Sequence, residues 1–138
     1  MASEPRPGLA VEMEWEGGMR FRGWAGERAM SLDGDSRSAV SPVEALALSL
    51  AGCMASDVVH ILRKGRLELK GLRARLDAER AREEPRRLVT VDLRFLVRGA
   101  VPSERVERAI ALSREKYCSV WHSLRPDIAF TTSFEISA

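Results

Sequence analysis

The sequence predicts an α+β fold built on an antiparallel sheet. Three observations carry that prediction. Strand-like segments lie toward both ends of the chain, with helical segments between them. One long helix is marked at its start by Ser41 and at its stop by Gly65. Residues 72–97 read as a β-hairpin with one core face and one wet face.

Taken in order, residues 1–8 (MASEPRPG) read as a flexible tail and residues 9–138 as one domain. Residues 9–15 and 19–32 alternate loosely, with turn signals at Gly17-Gly18 and Asp33-Gly34, so two or three short strands are expected. Residues 35–40 form a polar loop. Ser41 then suits the N-cap, Pro42 the first helical position, and Glu44 completes a capping box. Arg63, Lys64 and Gly65 suit the stop. The helix is therefore about 23 residues long, or roughly 34 Å. From Val43 to Met54 it is apolar almost all round, the pattern of a helix buried on every side. One small domain can hardly wrap it, so a partner subunit is expected.

Leu72, Ala74, Leu76 and Ala78 alternate with charged residues, and so do Val89, Val91, Leu93, Phe95 and Val97 with mostly polar ones. The turn AREEPR joins the two strands. Ser103 is placed to cap a second helix whose inner stripe is Val106, Ile110, Ser113 and Tyr117. Cys118 ends that helix or starts a short further one from Ser119 to Leu124, which Pro126 stops. A last strand runs from Ile128 to Ile136.

Composition narrows the function. Of 138 residues, 45% are hydrophobic and 30% charged, which fits a soluble globular chain. A net charge of +2 argues against general affinity for nucleic acid. No run of 18 apolar residues appears and the N-terminus lacks a signal-peptide core, so no membrane span and a cytoplasmic protein are expected. In that setting two cysteines 65 residues apart are reduced thiols, a redox pair or metal ligands rather than a disulfide scaffold. There is no glycine-rich phosphate loop, nucleophile elbow or H-E-x-x-H.

Cys53 is the first candidate for chemistry. Its bland reading is a small buried hydrophobe. Gly52 beside it opens room, although glycine weakens a helix by about 1 kcal/mol. A free thiol with a pKa of about 8.5 is only slightly ionised at neutral pH. Cys53 lies about three turns from its own helix N-terminus, so a stabilising cation must come from elsewhere. Glu44 has a plain role in the capping box. It stands nine residues before Cys53, roughly 13.5 Å and a half-turn away. The two therefore point to opposite sides of one helix, and joint action requires a homodimer with the helices antiparallel. Cys53, His60, Cys118 and His122 could be drawn as a zinc site, but Cys53 and His60 lie roughly 10.5 Å apart along the axis. That is too far for ligation at about 2.0–2.3 Å, so no metal is expected. Arg20, Arg22 and Arg28 lie in the early strands. Arg73, Arg75, Arg80, Arg82, Arg86 and Arg87 are interleaved with glutamates and read as a solvated face.

The segment SPVEALALSLAGCMASDVVHILRKGR, followed later by ALSREKYCSV and a closing strand, resembles the osmotically inducible protein C / organic hydroperoxide resistance (OsmC/Ohr) superfamily, and most its OsmC-like branch. The resemblance runs from about residue 10 onward. It implies an intertwined homodimer with long central helices between curved antiparallel sheets. It also implies a thiol peroxidase with no bound cofactor. Cys53 matches the peroxidatic cysteine and Cys118 the resolving one. Glu44 falls near the family acid, whose usual position is here Val43. The family arginine, which comes from the N-terminal strands, is assigned to Arg20 in WEGGMRFRG ahead of Arg22. The implied substrate is an organic hydroperoxide and the implied reductant a dithiol such as a dihydrolipoyl group. The competing expectation is a non-catalytic dimer of the same fold that binds a lipid-like or aromatic molecule. A redox sensor is a third.

Overall fold

A computed structural model describes residues 8–138. The expected tail, residues 1–8, lies outside them except for Gly8. The chain divides into two compact units, one up to Leu46 and one from Ala47 on.

The first unit is a three-stranded antiparallel meander: β1 (Glu12–Gly17), β2 (Arg20–Ala25) and β3 (Arg28–Asp33). Gly17 and Gly18 make the first turn with φ of 111° and 57°, the left-handed region that glycine enters freely. Gly26, at φ 64°, makes the second turn and splits what the sequence reads as one run from 19 to 32. After β3 the chain closes on Asp33. Its carboxylate accepts from the backbone N–H groups of Asp35 (2.8 Å), Arg37 (3.3 Å) and Ser38 (2.9 Å), and from the Ser38 hydroxyl (2.8 Å). The Asp33 N–H donates to the Val40 carbonyl at 2.9 Å, which delivers the chain to Ser41.

Helix α1 spans Pro42–Lys64, the bounds that its caps predict. The capping box is formed. Ser41 Oγ accepts from the Glu44 N–H at 3.2 Å, and a Glu44 carboxylate oxygen accepts from the Ser41 N–H at 2.8 Å. Only one stripe of α1 is buried: Leu50, Met54, Val58 and Leu62, one turn apart. The expectation of burial on every side does not hold within one chain, where Leu48 is 60% exposed and Gly52 is also exposed. The sequence has no uninterrupted run of 18 apolar residues. As a helix, however, α1 reaches a mean hydropathy of 1.7 over an 18-residue window, long and apolar enough to cross a membrane by those measures alone. The core helix of a globular protein meets the same measures, and in this chain 28% of that window is buried.

In the second unit β4 (Glu68–Arg80) and β5 (Leu88–Ala100) form the expected hairpin, with Leu72 opposite Val97, Ala74 opposite Phe95 and Leu76 opposite Leu93. Val91, Leu93, Phe95 and Val97 are sealed from solvent and form the core face of β5. Strand β6 (Ala129–Ser137) completes the order β4-β5-β6, but it runs parallel to β5. The second sheet is thus mixed, which corrects the antiparallel expectation. The connection between β5 and β6 carries helices, and a crossover of that length returns the chain in the same direction. Helix α2 covers Ser103–Leu112, with Val106, Ala109 and Ile110 buried. Its N-cap is Pro102, not Ser103, and no side chain caps it. One turn of π-helix follows over Ser113–Tyr117, then the short helix α3 over Ser119–His122.

Candidate functional site

An unbroken α-helical stripe through Val106, Ile110 and Ser113 would turn Tyr117 inward, as the sequence predicts. The π-turn overturns this. It adds a residue to the turn, so that the Cys118 N–H donates to the Ser113 carbonyl five residues back, at 2.8 Å. Tyr117 is left 49% exposed, and Cys118 takes the inward position at 0%. Cys118 also serves as the N-cap of α3. Its sulfur accepts from the Trp121 N–H at 3.3 Å, in the place where a serine or aspartate oxygen usually stands. The segment is fastened to β6. The Trp121 and Phe130 rings lie 4.4 Å apart, and the Arg114 guanidinium sits over the Phe130 ring and donates to the Phe130 carbonyl at 2.7 Å.

Cys53 faces this cap from α1. It is half-buried, and it neighbours Cys118 closely enough to influence that thiol's ionisation. Both are free thiols. Burial pushes the Cys118 thiol up to about 11, against the pull of the Trp121 N–H, and the neighbouring Cys53 sulfur raises it further. At neutral pH Cys118 therefore keeps its proton and can donate it toward Cys53. One turn beyond Cys53, the Asp57 carboxylate accepts from the Ser113 hydroxyl at 2.7 Å. Ser113 is completely buried and Asp57 half-buried. The sequence places Ser113 on the inner stripe of its helix but assigns it no role, and it does not single out Asp57. The available signal was a single acid in an otherwise uncharged stretch of α1, spaced four residues from the cysteine.

The remaining candidates are placed separately. Glu44 is bound into the start of α1, where hydrogen bonds from the Ser36 hydroxyl, then from Ser41, hold its carboxyl below the usual glutamate range. Arg20 opens β2, exposed, with Asp33 as its cross-strand neighbour on β3. Among the described residues no ion pair joins Arg20 to Glu44. Arg22 reaches Ser31 at 3.5 Å and Arg28 the Ala25 carbonyl at 3.3 Å. His122 is 3.0 Å from the Arg114 carbonyl. His60 lines an open groove of about 960 Å³ with Gly52, Ala55, Val59, Arg63 and Leu72. A Cβ placed on Gly52 would meet nothing within 4 Å, so no contact inside this chain requires glycine there. Among the described residues His, Cys, Asp and Glu form no group of three that could hold a metal ion.

Comparison with known proteins gives consistent results. Residues 33–133 match the family model described as OsmC-like protein. Protein YhfA of Escherichia coli K12 is 37% identical over 133 residues, covering 94% of this chain and 99% of that one. A crystal structure of a protein from Aquifex aeolicus VF5 superposes with a TM-score of 0.89 at 27% identity, over 96% of this chain and 98% of its own. An organic hydroperoxide resistance protein OsmC from Legionella pneumophila shares the fold at a TM-score of 0.71 and 14% identity, over 96% and 99% of the two chains.

Proposed function

This chain belongs to the OsmC-like family, and on that footing we propose that it is a thiol-dependent peroxidase for organic hydroperoxides. The observation that carries the reading is the meeting of Cys53 and Cys118, two free thiols far apart in sequence, with the buried one still protonated. The roles follow the family resemblance, in which Cys53, half-buried on α1, matches the peroxidatic cysteine and the fully buried Cys118 the resolving one. The Cys53 thiolate attacks the distal oxygen of ROOH, the O–O bond breaks, and ROH leaves with one proton from solvent. Cys53 is now a sulfenic acid. Cys118 attacks that sulfur, water leaves, and a disulfide forms. A dithiol of the dihydrolipoyl type then takes over the disulfide, becoming oxidised itself and restoring both thiols. The reaction calls for no metal or bound cofactor, and the reductant belongs to a cytoplasmic setting.

The same proposal includes a homodimer. The exposed apolar side of α1 supports it, with Leu48 as its most exposed large apolar side chain and Gly52, Ala55 and Val59 beside it. Two α1 helices packed antiparallel bring the Glu44 of one protomer toward the Cys53 of the other, where Arg20 would supply the cation. A non-catalytic binding protein of this fold is the rival reading, favoured by the hydrogen bonds that already occupy Glu44 in its cap.

Thiol counting decides between them. Reduced protein treated with cumene hydroperoxide is expected to lose two thiols per chain, and Cys53→Ser none. Cys118→Ala should stop at a sulfenic acid that dimedone traps. Retention of both thiols by the wild-type protein overturns the peroxidase reading.

A further inference from the structure

We propose that Asp57 is a positioning residue for disulfide closure: through Ser113 it holds the π-turn that presents Cys118 to Cys53. The argument starts from the π-turn. Such a turn is rare and recurs at functional sites, so what fixes it here matters. Ser113 is the hinge of this one. Its N–H donates to the Ala109 and Ile110 carbonyls at the end of α2, and its carbonyl accepts from the Cys118 N–H at 2.8 Å. Its hydroxyl, fully buried, donates to Asp57 at 2.7 Å. That last bond is the one that crosses to α1, and it lands one turn from Cys53. A single chain of bonds thus runs from the helix that carries one sulfur to the turn that carries the other.

The choice of residue points the same way. A half-buried carboxylate on a helix next to apolar Met54 and Val58 is costly unless it has work to do. An aliphatic residue there, with alanine at 113, would pack without it. Asp57 and Ser113 instead fix the rotation of the segment leading to Cys118. Loss of the pair leaves the two thiols present but lets the second sulfur wander.

The role rests on the peroxidase reading for its use in turnover, yet closure can be driven without any hydroperoxide. The azo bond of diamide takes up two electrons and two protons as the two thiols become a disulfide. The test is the equilibrium constant for Cys53–Cys118 closure in a dithiothreitol redox buffer after diamide oxidation, together with circular dichroism to confirm the fold. Asp57→Ala and Ser113→Ala should each lower that constant roughly tenfold, and the double variant should fall no further than either single one, because the two residues act as a unit. Asp57→Asn keeps an oxygen acceptor for Ser113 and should stay near the wild-type value. With cumene hydroperoxide, Asp57→Ala should form the sulfenic acid at the wild-type rate while its dimedone adduct accumulates. A folded Asp57→Ala or Ser113→Ala variant that closes like wild type overturns the proposal. So does an Asp57→Asn variant as impaired as Asp57→Ala. A wild-type protein that closes with diamide but ignores hydroperoxide removes the peroxidase reading alone.

Discussion

Asp33 and Cys118 are both nearly sealed from solvent, and both accept hydrogen bonds from backbone N–H groups, yet folding moves their protons in opposite directions. Asp33 gathers three N–H donors and a hydroxyl, led by the Ser38 N–H, and its carboxyl is pushed down to about 2. Cys118 gathers only the Trp121 N–H, at 3.3 Å, and more weakly the Val120 N–H, both to a large and weakly accepting sulfur, and burial pushes it up to about 11. The number and quality of donors decide which influence wins. The consequence differs between the two regions. The Asp33 charge is permanently committed to folding a loop. The Cys118 proton is held through neutral pH by burial.

The largest effect expected from breaking this comparison is at Asp33. Asp33→Ala leaves the N–H groups of Asp35, Arg37 and Ser38 without their acceptor inside a closed loop, and the thermal midpoint should fall by roughly 10 °C. Acid adds a second reading. Folding lowers this carboxyl from 3.8 to about 2, so its contribution is present above pH 3.8 and is lost as the pH falls through about 2. Urea midpoints measured from pH 5 down to pH 2 should drop in the wild-type protein, with a shallower slope in Asp33→Asn. Parallel slopes would mean that the loop is held by something other than the carboxylate.

Cys118 should give the mirror image at the alkaline end. Folding raises its thiol from 9.0 to about 11. Its contribution is therefore present below pH 9 and is lost as the pH rises through about 11. The change across that window is about 2 kcal/mol, and it should disappear in Cys118→Ala. Guanidinium midpoints between pH 8 and pH 11 check it. An unchanged slope in Cys118→Ala would show that burial does not govern this thiol.

How much of this was legible in the sequence depends on the range of the interaction. Helix α1 could be read to the residue, because Ser41, Pro42, Glu44 and Gly65 act on their immediate neighbours. The hairpin was legible for the same reason: alternation along 72–78 and 89–97 is a local pattern. The direction of β6 was not, since it depends on how the whole crossover returns. Tyr117 and Cys118 exchanged places because one turn of π-helix shifts the phase of every residue after it, and nothing in EKYCSV announces that turn. Ser103 looked like a cap, but Pro102 already occupies that position. The meeting of Cys53 with Cys118 entered through family resemblance. The tie between Asp57 and Ser113 did not enter at all, because its two ends share no motif and lie on separate elements.

The smallest effect should come from the start of α1, and it sharpens the contrast between a cap that folds a helix and one that is proposed to react as well. Ser41 and Glu44 satisfy each other's N–H groups, whereas Cys118 caps α3 with the same atom that is proposed to attack a sulfenic acid. Ser41→Ala should cost about 1 kcal/mol, the usual worth of an N-cap hydroxyl, read as a shift in urea midpoint without a change in slope. It should leave the rate of sulfenic acid formation untouched. Glu44→Gln keeps an oxygen that can accept from the Ser41 N–H, so its stability should change less than that of Ser41→Ala. If the carboxylate also serves a partner's Cys53, the first oxidation step in Glu44→Gln should nevertheless slow, at unchanged fold and unchanged disulfide closure. A Glu44→Gln protein that forms sulfenic acid at the wild-type rate would confine Glu44 to its cap, and the thiol pair would then have to work without an acid from the start of the helix.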